Sequence, residues 1–263
     1  MSTIASGATV LVREDGPAVR VTLNRPEKRN ALSLELMEQL IATLRRVSGE
    51  PETRAIVLDA NGPTFSAGHD LGEMVGRDAA FYEQLFDVCT VMMETIHRLP
   101  QPVIAKVHAM ATAAGCQLVA TCDLAVASTA ATFATPGVNI GAFCSTPSVA
   151  LGRTVARKHA MEMLLTGAPI SAERAAQIGL VNRVVSPEQL DAEVDALAAL
   201  IASKSATAIA SGKQVFYQQL EMPLGDAYRV AGHAIAGDFF TEDGKEGVDA
   251  FLGKRAARWT SRG

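Results

Sequence analysis

At 263 residues, 48% hydrophobic and 20% charged, the chain can bury one large core, or one core with a helical appendage packed on it. A net charge of −4 and a pI near 5.8, without a basic stripe or a Lys/Arg run, exclude nucleic acid as an expected partner, because such binding needs phosphate-neutralising cations. Cys89, Cys116, Cys122 and Cys144 form neither C-x-x-C pairs nor a Cys/His cluster at metal spacing, so reduced thiols, no metal and no resident cofactor are expected. An N-terminus without a basic stretch followed by an apolar one reads as unexported, hence cytoplasmic.

The chain opens with Val10 to Val12 and Val19 to Leu23 around Glu14-Asp15-Gly16-Pro17, a hairpin and its turn. Ser33 reads as the N-cap of an amphipathic helix reaching about Ser48, with Leu36, Leu40, Leu44 and Val47 on one face. Ala55 to Leu58 reads as a short buried strand ended by Asn61-Gly62-Pro63. A helix over Ala79 to Arg98 stops at Leu99-Pro100, and Val103 to Val107 is the next strand. Ala111 to Ala120 reads as a helix of small residues, followed by a strand over Leu124 to Ala127. The apolar run from Val103 to Thr135 contains Lys106, His108, Gln117 and Asp123, each costly at bilayer depth, so it predicts core and no membrane partner. From about Pro187 the pattern is helical. The division expected is a core over residues 1–186 and a helical region over 187–263, packed together without a linker.

These patterns predict an α/β fold with a helical C-terminal part. Three segments narrow it: Asn24-Arg25-Pro26-Glu27-Lys28-Arg29-Asn30-Ala31-Leu32, Phe65-Ser66-Ala67-Gly68-His69-Asp70-Leu71, and Gln101-Pro102-Val103-Ile104-Ala105 leading to Gly115-Cys116. With Met163-Leu164-Leu165-Thr166-Gly167, Ile178-Gly179-Leu180-Val181 and Thr241-Glu242-Asp243-Gly244-Lys245-Glu246-Gly247, they resemble the crotonase (enoyl-CoA hydratase/isomerase) superfamily in order and spacing over nearly the whole chain. The Ala113-Ala114-Gly115-Cys116-Gln117 and Phe143-Cys144-Ser145-Thr146-Pro147 segments resemble its divergent enoyl-CoA hydratase domain-containing protein 3 branch.

The resemblance implies a crotonase-type spiral of ββα units with a helical C-terminal trimerisation region. It also implies an acyl-CoA partner, with coenzyme A entering as part of the substrate, and a homotrimer or a dimer of trimers. The shared chemistry is stabilisation of a thioester enolate by two backbone amides, which by position are those of His69 and Ala114. Ala114 at a helix start agrees physically, since first-turn amides lack internal partners and the helix dipole favours negative charge. The resemblance places adenine along Ala67, Asp70 and Leu71, with Ala113, Pro136 and Gly141 lining the substrate site. Lys28, Arg29 and Lys254, with Arg255 beside it, are the candidate phosphate cations. Gly72 stands where related hydratases often carry a lysine, which removes one phosphate contact.

Two departures define the functional question. The family usually carries Gly-Gly-Gly-Cys-Glu and Gln-Pro-Glu, where this chain has Gln117 and Gly137 in place of the two glutamates. Hydration needs a base for water and an acid for the α-carbon, each worth about 10²–10⁴ in rate. Gln117 can orient a water and cannot take its proton. Weak hydration is therefore expected, improved by restoring both glutamates. The His69 ring, Cys144 as a nucleophile, and Tyr82, Glu83, Asp87 or Glu94 on the helix before Pro100 are replacement groups to be located. Ser145 or Thr146 is a candidate cap for the helix that follows. Two function classes stay open: an enzyme acting on acyl-CoA (weak hydratase, isomerase or thioesterase), and a non-catalytic acyl-CoA-binding oligomer. A dinucleotide site is disfavoured because no G-x-G-x-x-G with a later acidic residue is present.

Overall fold

The computed structural model describes residues 8–16 and 18–260. β1 (Val10–Asp15) and β2 (Ala18–Leu23) form the predicted hairpin. Its strands run closer to the turn than the sequence suggested, because Glu14 and Asp15 stay in the ladder opposite Val19 and Ala18. Pro17 of the predicted turn lies outside the described residues. α1 (Leu34–Ser48) begins where the cap predicts: Ser33 Oγ accepts from the Leu36 amide at 3.2 Å. Leu36, Leu40, Leu44 and Val47 are all buried, each worth roughly 1.5–3 kcal/mol of apolar burial.

β3 (Ala55–Ala60) leads through the short α2 (Leu71–Met74) to α3 (Ala79–Arg98). β4 (Val103–Val107) follows, then β5 (Ala111–Thr112) and α4 (Ala114–Thr121). The helix expected from Ala111 thus starts three residues later. Ala111 and Thr112 are extended, and pair in parallel with Phe133 and Ala134. β6 (Leu124–Ser128), β7 (Thr132–Ala134), a 3₁₀ turn (Pro136–Ile140), α5 (Ser145–Thr154), α6 (Arg157–Thr166), β8 (Ile170–Ser171), α7 (Ala172–Gln177) and β9 (Arg183–Val185) complete the core. After β9 the described residues form helices: α8 (Leu190–Ala202), α9 (Ala206–Gln219), α10 (Leu224–Phe240) and α11 (Glu242–Leu252).

The main sheet has the order β1-β2-β3-β4-β6-β9, parallel except for β1. Both of its faces are covered, which explains the near-continuous apolar strands. On β3, Ile56 and Leu58 face the cluster that includes α1 and α3, while Ala55 and Val57 face Leu190, Val194, Leu197 and Ala198 of α8. The small second sheet, β5-β7-β8, is extended by a bridge from Ser66 to Ala111. Successive turns of chain therefore each place a short extended piece beside the last, the ββα spiral expected. The consequence for function is that the loops after Ser66, Thr112 and Ala134 lie side by side. Among the described residues, no single helix is long and apolar enough to cross a membrane.

Candidate active site

The first loop is held by Leu32, which donates to Gly68 O at 2.7 Å and accepts from the Asp70 amide at 3.2 Å. In this parallel bridge between Leu32 and His69, the His69 N–H faces away from Leu32. The second loop turns at Ala113, whose φ of +51° and ψ of −121° are unusual for a residue with a Cβ and cost about 1–3 kcal/mol. The Ala113 amide donates to Ala134 O at 2.9 Å, which holds the turn against the third loop. Ala114 then starts α4. Among the described residues neither the His69 nor the Ala114 amide has an acceptor.

Two glycines let these loops meet. A methyl on Gly68 would lie 2.7 Å from Ala113 Cβ and 3.1 Å from Ala114 N, and the residue's φ of +82° already favours glycine. A methyl on Gly115 would lie 2.5 Å from Ser66 O, so α4 rests directly on the Ser66 backbone. The outcome is two free amides on touching loops, one of them at a helix N-terminus.

The Asp70 carboxylate is engaged by its own loop and by Arg25. It accepts from the Gly72 amide at 3.1 Å, capping α2, and pairs with Arg25 at 3.2 Å. Arg25 also donates to Ala31 O at 2.8 Å, a role sequence reasoning missed because an arginine in a loop resembles any surface cation. Ala67 donates to Arg29 O at 3.0 Å, so Lys28 and Arg29, both exposed, stand beside the first loop. Leu71 is exposed. Lys254 is exposed at the far end of α11, and no bond ties it to these loops, while Arg255 is spent on Glu246 at 2.6 and 2.8 Å.

At the first glutamate position Gln117 is buried, and its Oε1 has no hydrogen-bond partner. At the second, Gly137 is crowded: its amide donates to Cys144 Sγ at 3.3 Å, and a Cβ there would lie 2.5 Å from Ala142 O and 2.8 Å from that sulfur. The expectation that both glutamates can be restored is therefore corrected at position 137, where the loop backbone occupies the space. Burial raises the Cys144 pKa, with the Gly137 amide opposing, so the thiol is the resting form and not an activated nucleophile. Pro136 opens the 3₁₀ turn and Gly141, at φ +80°, closes it. The helix after this loop is capped at Cys144, without a side-chain bond, rather than by Ser145 or Thr146.

The His69 ring packs edge-on against Phe86 at 5.2 Å, and its Nε2 is buried without a partner. Burial pushes its pKa down to about 4, so the imidazole is neutral at pH 7. Of the carboxylates on α3, Glu83 and Asp87 are exposed, and Glu94 pairs with Arg98 at 2.8 Å. Tyr82 donates to Met74 O at 2.9 Å. Among these α3 groups, Glu94 lines a cavity of about 770 Å³ between α3, α4, α5 and α9, which Gln117 also lines. Among the described residues no group of His, Cys, Asp and Glu is placed to hold a metal ion.

The enoyl-CoA hydratase/isomerase family model matches residues 14–262. The chain is 47% identical to zebrafish (Danio rerio) enoyl-CoA hydratase domain-containing protein 3, mitochondrial, over 97% of this chain and 89% of that protein. It is 48% identical to a solved enoyl-CoA hydratase of Mycobacterium smegmatis, covering 97% of this chain and all of that one, at a TM-score of 0.94. The structure of human enoyl-CoA hydratase domain-containing protein 3 is 44% identical over 96% of this chain, at a TM-score of 0.93. The chain belongs to the enoyl-CoA hydratase/isomerase (crotonase) family. The vertebrate relatives are named mitochondrial, which overturns the cytoplasmic expectation; reading the first residues for an export signal carried no information on that point.

This crotonase-family chain also holds its C-terminal helices to the core by a contact the sequence did not disclose. Lys213 Nζ on α9 donates to Asp123 Oδ2 at 2.7 Å and to the carbonyls of Ile96 and Gln101 at 2.9 and 3.0 Å. Tyr217 donates to Asp123 Oδ1 at 2.8 Å and stacks on His97 at 4.4 Å. The partners are 90 and 94 positions apart, and no local pattern pairs them.

Proposed function

We propose that this protein binds acyl-CoA thioesters and stabilises their carbonyl oxygen, and the enolate derived from it, with the amides of His69 and Ala114. The observation that carries the reading is the pair of amides without acceptors on loops pressed together at Gly68 and Ala113. Donors fixed in advance where charge develops are the main electrostatic device of such chemistry, each worth about 10²–10³ in rate. Lys28 and Arg29 are exposed cations brought beside the first loop by the bond from the Ala67 amide to Arg29 O, and supply the local positive charge an otherwise acidic chain needs for phosphates. Isothermal titration with acetoacetyl-CoA tests the reading: saturable binding is expected, and no heat or competition at millimolar ligand would overturn it.

A specific observation favours a second reading, a non-catalytic acyl-CoA-binding oligomer. Gly137 offers no space for a carboxylate, and at the other candidate positions on these loops stand the Gln117 amide, the neutral His69 imidazole and the protonated Cys144 thiol. The two readings share the ligand and separate on turnover.

The assembly we propose is a homotrimer or a dimer of trimers. The C-terminal helices expose large apolar side chains, among them Leu224 at 73%, Tyr228 at 73%, Phe240 at 80% and Phe251 at 82%. Exposed apolar surface of this extent is characteristic of association faces. Light scattering at micromolar concentration is expected to give three or six times the chain mass of 27.7 kDa, and a stable monomer would count against the assembly.

A further inference from the structure

Asn30 and Ser66 are polar, 36 positions apart and completely buried, a placement a fold sustains where their hydrogen bonds are met. Every polar group of the Asn30 side chain has a partner. Its Oδ1 accepts from the Arg25 amide at 2.8 Å, and its Nδ2 donates to the carbonyls of Asn61 and Thr64, both at 2.8 Å. The Asn30 carbonyl accepts from Ser66 Oγ at 2.9 Å, and that hydroxyl accepts in turn from the Gly68 amide at 3.3 Å. The chain of bonds ends one residue short of the His69 amide.

Residues 30 to 32 thereby hold Gly68 from both sides. Asn30 reaches its amide through the Ser66 hydroxyl, and the Leu32 amide donates to its carbonyl at 2.7 Å. A trans peptide points its C=O and N–H in opposite directions, so fixing Gly68 O also fixes the direction of the His69 N–H. Ser66 meets the second loop as well. Its carbonyl accepts from the Thr112 amide at 3.0 Å, and a methyl on Gly115 would lie 2.5 Å from that same oxygen. Asparagine at position 30 combines two demands: the backbone there is left-handed, with φ +51°, which favours Gly, Asn and Asp, and two carbonyls need donors, which Gly and ionised Asp lack.

We propose that Asn30 and Ser66 are positioning residues: buried away from any ligand, they set the direction of the His69 amide and its spacing from the Ala114 amide. This rests on the acyl-CoA reading above. A donor fixed in advance keeps its value only while it stays aimed at the oxygen, and a misplacement of about 1 Å costs on the order of 10²-fold. The relay supplies that fixity from outside the site, through a loop near the N-terminus that carries neither amide.

The test uses the whole protein and the CoA thioester of para-dimethylaminocinnamic acid, a dye that absorbs at longer wavelength when its carbonyl oxygen accepts hydrogen bonds. Saturating dye reads the amide pair in folded, bound molecules, and urea midpoints read stability separately. Ser66→Ala removes the hydroxyl between Asn30 and Gly68; Asn30→Asp keeps the shape and removes the two donors. Both are expected to bind the dye and to reduce its red shift to about half or less, since one of two donors is displaced. Ser66→Cys, which keeps a weak donor at the same place, is expected to recover part of the shift. The control is Val194→Ala, a buried change under α8 on the other face of the main sheet, expected to lower the midpoint and keep the full red shift. A full red shift in Ser66→Ala, or in Asn30→Asp or Ser66→Cys should Ser66→Ala not fold, would overturn the inference while leaving the acyl-CoA reading intact. An equal loss of shift in Val194→Ala would overturn it too, by tying the shift to stability alone. A parent protein that does not bind the dye, or binds it without a red shift, would remove both.

Discussion

Hydration of crotonyl-CoA by this protein is expected to run about 10²–10⁴-fold slower, for each missing proton-transfer group, than in a family member with both glutamates. In the function we propose, binding and carbonyl polarisation rest on the His69 and Ala114 amides, which the substitutions at 117 and 137 leave in place. Proton transfer is what has gone. Gln117→Glu alone is expected to raise the rate by about 10²-fold, since a carboxylate there occupies the space of a side chain already present. Gly137→Glu is expected to add nothing and to destabilise the loop, because its Cβ would lie 2.5 Å from Ala142 O. The measurement is loss of enoyl absorbance under saturating substrate for the parent, both single variants and the double variant. Fast parental turnover that Gln117→Ala leaves unchanged would show that another group moves the proton, and His69→Ala would then be the informative variant.

Lys213→Met is expected to destabilise the fold by about 3–5 kcal/mol. The ammonium is 7% exposed and the Asp123 carboxylate 13%, so removing the cation leaves a buried charge without its counter-ion. Burial pulls the Lys213 pKa below the usual lysine range, with Asp123 opposing, which states the same balance from the lysine side. The carbonyls of Ile96 and Gln101 lose a donor as well. Arg229→Ala is the control. It breaks an exposed ion pair with Asp226 at 2.9 Å, and such pairs are worth about 0–1 kcal/mol. Urea midpoints at pH 7 compare the two, and equal shifts would show that the Lys213 pair does not anchor α9.

What the sequence determined by itself was whatever local chemistry encodes. α1 begins after Ser33 and α3 spans Ala79–Arg98, as predicted, because caps, a 3.6-residue apolar period and a Pro stop act within a few residues of themselves. That Ala114 lies near a helix start followed from its position in the resembled motif, while the residue pattern began that helix at Ala111, three residues too early. Short non-local pieces were not legible. β5 is two residues long and exists only because Phe133 and Ala134 lie beside it, so a run of small residues reads as helix until the second sheet is assembled. The positive φ of Ala113 is equally silent, since alanine does not announce a conformation that glycine usually takes. The closure of the Gly137 position by Ala142 and Cys144, and the burial of Lys213 against Asp123, were decided by chain segments meeting in space. The sequence could name the two absent glutamates. Only the tertiary structure could decide that one position still has room for a carboxylate and the other does not, because that depends on which backbone atoms the fold brings within a methyl's reach.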